Sequence, residues 1–392
     1  MTERLYYTDP YLAEFDAQVL RVEPYEGRLA AVLDRTAFYP TSGGQPFDTG
    51  RLNAAAVIDV VDTDDGAILH VIEGALEPGP ARGAIDWGRR FEHMQQHTGQ
   101  HVLSAAFDRV GGARTESFHL GSVSATIDLN RTLSVADMER AEDEANRIVW
   151  EDRPVRIRFA DAEEAATLPL RKEPARTGML RLIEVADFDM SACGGTHVAR
   201  TGAIGLIAVA SSERFRGGTR VEFLCGVRAQ RGYRSLRGAM AASVTLVSVL
   251  PPDLPAGIER LQAEARATNR HLKDLQARLA AFEATALADR AQRLGSVQAV
   301  VASLEGWDQS GLKAIASAIT ARPSHVAVLF GLPPPSAAVV ARAGDAPIDC
   351  GAILRKLIER FGGKGGGRSD LAQGGGLQGT PDEFVSFARS LL

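Results

Sequence analysis

An α+β fold is predicted, with a small N-terminal β-barrel, a second domain of two helices over an antiparallel sheet, a long helix, and a C-terminal α/β domain. Three observations carry this. Short apolar runs with a period of two, separated by Gly, Asp and Pro, fill the chain to about Asp86. A run of histidines four apart then leads into an apolar helical segment, and beyond Pro251-Pro252 a heptad pattern gives way to strands alternating with helices. These breaks divide the chain into 1–86, 87–250, 256–293 and 294–392. With 392 residues, 45% of them hydrophobic, the chain can bury more than one core.

Taken in order, Ala17-Val19-Leu20-Val22, Leu29-Ala31-Val32-Leu33, Val57-Ile58-Val60-Val61 and Ile68-Leu69-Val71-Ile72 read as strands of a small antiparallel barrel or sandwich. Between them lies Thr36-Ala37-Phe38-Tyr39-Pro40-Thr41-Ser42-Gly43-Gly44-Gln45-Pro46. Its glycines permit close backbone approach to a ligand, and Thr36, Ser42 and Gln45 offer hydrogen-bonding groups. The histidine helix stops at Gly111-Gly112. Glu116–Leu120 and Ser124–Leu129 form a hairpin turning at Gly121-Ser122. A second helix starts at Ser134 with Asp137 in capping-box spacing, and its Met138, Ala141, Ala145, Ile148 and Val149 are expected to back one sheet made from strands near 155–159, 180–185, 204–209 and 221–224.

From Ala256 to Arg293, Ile258, Ala265, Leu272, Leu279 and Ala286 share one heptad position. Leu261, Leu275 and Phe282 share the other, with Thr268 as a polar interruption. The seam suits a homodimer through the long helix or the C-terminal domain, or pairing with another helix of the same chain; both stay open. Strands at 297–301, 326–330 and 337–340 alternate with helices through Leu312-Ile315-Ile319 and Asp349–Phe361. A loop of glycine and charge follows, Gly362-Gly363-Lys364-Gly365-Gly366-Gly367-Arg368-Ser369-Asp370, and Thr380-Pro381-Asp382-Glu383 then starts a last helix. Lys364 and Ser369 are not in Walker spacing, which argues against a nucleoside triphosphate loop.

The chemistry centres on His93-Met94-Gln95-Gln96-His97-Thr98-Gly99-Gln100-His101 and on Cys193-Gly194-Gly195-Thr196-His197. Histidines four apart project from one helix face, and two glycines let a thiolate and an imidazole converge, so the two motifs together make a His/His/Cys/His zinc site. A lone HxxxH would more often be a core feature; with a CxxxH in a chain of only 3 Cys and 8 His it is a ligand set. Geometry leaves His93/His97 and His97/His101 equally open. No glutamate follows the first histidine, which sets aside the metalloprotease pattern.

The run HTGQHVLSAAF together with CGGTHV resembles the editing domain of alanyl-tRNA synthetases and its free-standing relatives, the AlaX alanyl-tRNA editing proteins. The resemblance implies His97, His101, Cys193 and His197 as ligands and leaves His93 outside. TAFYPTSGGQ resembles the segment that precedes that domain, which implies that Thr36 faces the misacylated amino acid and that Gly43, Gly44 and Gln45 lie at the site. His119 falls where the synthetases carry a glutamine near the ester. GGKGGGRSDLAQGGG resembles the C-terminal domain shared by alanyl-tRNA synthetases and DHH-type phosphoesterases, implying tRNA contact by Lys364 and Arg368. The Asp-His-His motif itself is absent, and so is an aminoacylation domain.

A net charge of −5 argues against indiscriminate nucleic-acid binding but allows local basic surfaces, among them Arg214/Arg216/Arg220, where Arg220 is a candidate phosphate contact. An odd number of cysteines without framework spacing fits a reducing cytoplasm, with Cys225 and Cys350 as small buried hydrophobes. No run approaches a membrane span. The expected activity is hydrolysis of the ester between tRNA(Ala) and wrongly attached serine or glycine, with one Zn²⁺ per chain. Its rivals are a zinc-containing tRNA- or RNA-binding protein without catalysis and a phosphoesterase-related protein.

Overall fold

The computed structural model describes residues 1–172 and 178–392, and the chain forms two compact units, Met1–Ala242 and Ser243–Leu392. In the first unit, β1 (Glu14–Tyr25), β2 (Arg28–Leu33), β3 (Gly50–Leu52), β4 (Ala55–Asp62), β5 (Ile68–Glu73) and β6 (Gly79–Ile85) close a barrel in the order β1-β2-β5-β4-β3-β6. The long β1 makes closure possible by pairing with β2 on one side and β6 on the other. Its alternation sends Phe15, Ala17 and Val19 inward, onto Leu33, Phe38, Leu52, Val57, Ile68 and Ile72. Closure leaves no unpaired edge among these strands.

Helix α1 (Trp87–Gly111) is capped by the Asp86 carboxylate at its start and by Gly112 in the left-handed region at its end. Every residue from His93 to Phe107 is buried, so this is a central helix and not an amphipathic surface one. Around it lie β7 (Thr115–Leu120), β8 (Ala125–Leu129), α2 (Val135–Trp150), β9 (Val155–Ala160), α3 (Ala162–Thr167), β10 (Leu180–Val185), β11 (Asp189–Ala192), β12 (Ile207–Phe215), β13 (Gly218–Cys225) and α4 (Gly226–Val247). The Ser134–Asp137 capping box starts α2, and its Met138, Ala141, Ala145, Ile148 and Val149 enter the core with Val102, Leu103 and Phe107 of α1.

The single sheet expected behind α2 is instead two, ordered β12-β13-β8-β7 and β9-β10-β11. The chain leaves β11 into the Cys193–His197 turn and a short 3₁₀ segment, Thr201–Ile204, before β12 begins. Asn146 of α2 then engages both backbone groups of Ile207, accepting from its N–H at 2.9 Å and donating to its carbonyl at 2.7 Å. These bonds seat β12 against the helix, away from β11.

Barrel and α1 are joined by a buried ion pair. Arg90, in the first turn of α1, and Asp48, after the glycine-rich loop, both have side chains with no solvent exposure. Arg90 Nε lies 3.1 and 3.0 Å from the two Asp48 oxygens, and its other nitrogens donate to the carbonyls of Pro10 and Ala37. Asp48 also accepts from the Tyr39 N–H at 2.7 Å.

In the second unit, α5 (Leu254–Ala288) ends earlier than the expected Arg293, because Gln292–Leu294 is needed as strand β14 against β15 (Val297–Glu305). With α6 (Gln309–Thr320), β16 (His325–Leu332), β17 (Ser336–Arg342), α7 (Cys350–Phe361), β18 (Lys364–Gly367), β19 (Leu371–Leu377) and α8 (Pro381–Ser390), it forms an α/β unit with sheet order β14-β15-β16-β17-β19-β18. Only the β15/β16 pair, with α6 as its crossover, is parallel. The glycine-rich stretch expected as a loop is the β18–β19 hairpin at the sheet edge. A Cβ on Gly367 would stand 2.3 Å from Ala372 Cα, so glycine lets the strands approach this closely. Among the described residues no single helix is long and apolar enough to cross a membrane.

Removing one partner of the Arg90–Asp48 pair strands a buried charge. Asp48→Ala is therefore expected to lower stability by about 3–5 kcal/mol. Denaturant unfolding of the variant beside the parent measures it, and a loss below about 1 kcal/mol would contradict this account of the joint.

Candidate metal centre

His97 and His101 descend from successive turns of α1, while Cys193 and His197 come from the turn after β11. One donor atom from each lies within 4.8 Å of all the others. Cys193 Sγ stands 3.3 Å from His97 Nε2 and 3.3 Å from His197 Nε2. A tetrahedral zinc with metal–nitrogen bonds of about 2.0–2.1 Å and metal–sulfur bonds of about 2.3 Å separates its ligands by roughly 3.3–3.6 Å. The donor set fits such an ion. His93 is one turn too early: it is buried, its Nδ1 has no partner, and it takes no part in the cluster.

The ring orientations are set from outside. His97 Nδ1 donates to Gln45 Oε1 at 2.8 Å, His101 Nδ1 meets Asp189 Oδ2 at 3.3 Å, and His197 Nδ1 meets Thr98 Oγ1 at 3.2 Å. With Nδ1 engaged on every ring, Nε2 is the nitrogen left for a metal. Gln45 reaches across from the barrel and is itself held, since Oε1 also accepts from the Thr196 N–H at 3.0 Å and Nε2 donates to Thr196 Oγ1 at 2.9 Å. Arg181 holds the turn by donating to the carbonyls of Cys193 (2.7 Å) and Gly195 (2.9 Å). Gly195 is required where it stands, because a Cβ there would be 2.2 Å from His97 Cε1.

Charge in the metal-free cluster follows from these contacts. Burial opposes ionisation of Cys193, but His97 and His197 beside it and hydrogen bonds from His101 and His197 outweigh burial and hold the thiol well below its ordinary value. Burial would lower His101 too; hydrogen bonds to Asp189 and Cys193 instead push it up to about 9. Burial takes His197 down to about 3. Asp189 stays ionised at about 2 despite its burial, held by His101 and by Arg171, whose Nε is 2.7 Å away.

A cavity of about 330 Å³ opens beside the cluster, with His97, His101 and Cys193 on its floor and Gly43, Phe118, Glu116, Arg171 and Lys172 among its walls. The Phe118 ring covers His97 at a centroid distance of 5.4 Å. A larger cleft of about 660 Å³, lined by Trp87, Phe91, Glu92 and His93, carries none of the four cluster residues. Only the smaller cavity of the two is lined by cluster residues.

Several expected site residues stand elsewhere. The Thr36 hydroxyl is buried inside the barrel and is not on the cavity wall. His70 Nδ1 donates to the Ala31 carbonyl, so its Nε2 accepts the Thr36 proton at 2.8 Å, while Thr36 Oγ1 accepts from the Phe38 N–H. Gln45 contacts a histidine of the cluster and is fully buried, off the cavity wall. His119 is exposed and points away, because strand alternation turns its neighbour Phe118 to the cavity. Gly43 borders the cavity; Gly44 packs on Phe118, with room for no Cβ beyond 2.9 Å. Arg220 is paired with Asp128 at 2.7 Å and lies over the Phe215 ring, so it is not a free cation. Lys364 and Arg368 are exposed on the second unit, with Arg368 3.1 Å from Asp370. Phe118, Asp189, Arg181 and Arg171 carry no motif and escaped sequence reasoning, and Thr98 lies inside the histidine motif but was given no role.

Residues 180–222 match the threonyl and alanyl tRNA synthetase second additional domain, and residues 296–392 match the DHHA1 domain. The chain is 32% identical over 405 residues to the alanyl-tRNA editing protein AlaX-L of Pyrococcus horikoshii, an alignment covering 100% of this chain and 98% of that protein. It is 34% identical over 388 residues to the alanine–tRNA ligase of Pyrococcus abyssi, covering 95% of this chain but 42% of the ligase. A solved C-Ala domain from Aquifex aeolicus alanyl-tRNA synthetase superimposes with a TM-score of 0.25 at 21% identity, over 26% of this chain and 96% of that domain, too weakly to bear on the fold.

His101 holds its proton up to about pH 9, while the Cys193 thiol is held well below its ordinary value and His197 is down at about 3, so metal loading at pH 7 is expected to displace at least the His101 proton. Affinity should fall about tenfold per unit as pH drops below 9. Calorimetric titration of metal-free protein in buffers of different ionisation enthalpy counts protons released, and a count near zero would contradict a protonated His101. Gln45→Ala should weaken metal binding roughly 10–100-fold by freeing the His97 ring; His93→Ala should leave it unchanged.

Proposed function

The chain belongs to the AlaX-type alanyl-tRNA editing proteins, and from that premise we propose that it hydrolyses in trans the ester joining tRNA(Ala) to wrongly attached serine or glycine, using one Zn²⁺ held by His97, His101, Cys193 and His197. The observation that carries the reading is the buried cluster on the floor of a cavity whose volume suits a small amino acid and the terminal ribose. The need for such a site is physical. A synthetic pocket shaped for alanine excludes glycine and serine only weakly, since one methyl or one hydroxyl gives limited discrimination.

A zinc ion there would supply Lewis-acid polarisation or orientation of the ester and its attacking water. The chain's own groups do the rest. Gly43 lets the backbone come close to the ligand, and Phe118 over His97 gives an apolar wall that limits water. Lys172 at the rim and the exposed Lys364 and Arg368 offer cations for the tRNA backbone. Such a role in translation fidelity places the protein in the cytoplasm.

One feature favours the reading without catalysis: a set of four protein ligands is the pattern of structural zinc, whereas catalytic zinc keeps an open position. Incubation with Ser-tRNA(Ala), Gly-tRNA(Ala), Ala-tRNA(Ala) and Ser-tRNA(Ser) separates the two. Loss of the first two esters only, abolished in Cys193→Ala together with the bound zinc, is the expected result. A fully metallated protein that binds tRNA(Ala) and cleaves neither would establish the binding role. Replacing Lys364 and Arg368 together with Ala should weaken tRNA binding and flatten its salt dependence by up to about two in slope. Unchanged affinity would remove these residues from the interface.

A further inference from the structure

The cleft of about 660 Å³ beside the first two turns of α1 is held open by its own framework. Pro46 of the glycine-rich loop, Ser122 of the β7–β8 turn and the start of α4 line it together with α1. Three long-range contacts fix these walls. Gln95 Oε1 accepts from the Val227 N–H at 3.2 Å, Gln96 Nε2 donates to the Cys225 carbonyl at 2.8 Å, and Arg228 Nη1 donates to the Gly121 carbonyl at 2.7 Å. Gly226, in the left-handed region, lets α4 begin this close to α1, since a Cβ there would stand 2.3 Å from Gln95 Cδ.

Its lining has three kinds of group. His93 on the α1 side is buried, and its Nδ1 has no partner among the described residues, a cost that a bound ligand would relieve. Burial, with Arg89, Arg228 and Arg90 nearby, takes His93 down to about 3, so at pH 7 the ring is a neutral donor and acceptor. Trp87 and Phe91, their centroids 5.8 Å apart, form an aromatic wall, and Trp87 is partly open to solvent. Positive charge prevails around them. Glu92 is shared between Arg228 at 2.8 Å and Arg231 at 2.7 Å, Asp86 serves as the α1 cap, and Arg89 has no carboxylate partner among the described residues. Aromatic wall, neutral polar floor and cationic rim together suit a nucleobase with its phosphate.

We propose that this cleft holds the base of the nucleotide preceding the esterified one at the tRNA 3′ end, and thereby fixes where the ester lies over the metal centre. The inference rests on the editing reading above. That nucleotide is a cytidine, since tRNA ends in cytidine, cytidine and adenosine. Placement selects it. His93 and His97 are one turn of α1 apart, about 6 Å along the axis, so cleft and small cavity are neighbours. Gly43 lines one and Pro46 the other, and the residues between are sealed down by the Gln45–His97 bond at 2.8 Å and by Gly44 against Phe118. A base bonded directly to the ribose in the small cavity stays on that side of the partition. The preceding nucleotide is joined through a phosphate and can cross the rim, where Arg231 is exposed; Arg234 and Arg237 extend the cations along α4, which has no acidic residue.

The test uses uncharged tRNA(Ala), whose binding needs no hydrolysis, and a tRNA(Ala) whose penultimate nucleotide lacks its base. The full chain should bind the abasic form roughly tenfold more weakly. His93→Leu and Trp87→Ala should each lose about tenfold on intact tRNA but no more than about twofold on the abasic one, with zinc content and circular dichroism unchanged. His93→Leu keeps the apolar packing, so it decides alone should Trp87→Ala lose structure. Equal losses on both tRNAs, or a parent indifferent to the missing base, overturns the assignment. Losses that vanish only when the terminal adenine is removed would put the terminal base in the cleft and overturn it as well. The two readings fail separately: a parent that binds tRNA(Ala) and cleaves no Ser-tRNA(Ala) refutes the editing activity while the binding comparison still decides the cleft, and cleavage indifferent to the penultimate base refutes the cleft alone.

Discussion

The metal centre depends first on a buried ion pair that has no part in its chemistry. Arg90 and Asp48 are both fully enclosed; Asp48 ends the loop carrying Gly43, Gly44 and Gln45, and the pair bonds to Ala37 and Tyr39 at the loop's start and to Pro10. An unpaired charge in such a position is prohibitively unfavourable, so the barrel loop and the first turn of α1 have one relative arrangement in which both charges are met. Seven residues beyond Arg90, His97 then meets Gln45. The pair does not add much net stability over an apolar substitute; its contribution is to leave no alternative docking.

The second constraint is the tautomer. Each cluster histidine engages Nδ1 with a partner from a different part of the unit: Gln45 from the barrel, Asp189 from β11, Thr98 from α1 itself. Three imidazoles therefore present Nε2 inward before any metal arrives, and proton placement on His101 leaves a thiolate beside a cation. A dication entering that site would displace the proton that Asp189 and Cys193 hold on His101. Asp189 is the hinge of this electrostatics, since it faces His101 on one oxygen and Arg171 on the other.

The fold class and the convergence of HxxxH with CxxxH were legible because both are periodic or compositional: helix spacing, strand alternation, glycine beside ligand. The barrel strands β3 and β6 were not legible, being short or rich in Gly and Pro, and their place is determined by closure and not by local pattern. Nor was the split into two sheets, which turns on Asn146 capping Ile207, a contact 61 residues apart in sequence. The outer partners of the cluster are single residues of ordinary type at long separation, so nothing local marks Asp189 or Phe118. Thr36 and Gln45 were found as members of a motif, yet their roles depend on direction: burial turns one toward His70 and the other toward His97.

These directions bear on how a site closed by four protein ligands could act on an ester. His97, His101 and Cys193 border the cavity, whereas His197 is buried behind them and is absent from its walls. A substrate atom entering from the cavity approaches the face bounded by the three, and the ligand most exposed to it is Cys193, the one member of the cluster that is not fully enclosed. An ion held by the four would be reached from the cavity face, past His97, His101 and Cys193, with His197 holding it from the buried side. Gly195 allows it, because the turn carrying Cys193 passes His97 without a side chain in between, and Arg181 holds the turn by its carbonyls and not by the thiolate. The turn is thus braced through its backbone while Cys193 lines the cavity, so the thiolate would hold a bound ion on the side open to a ligand.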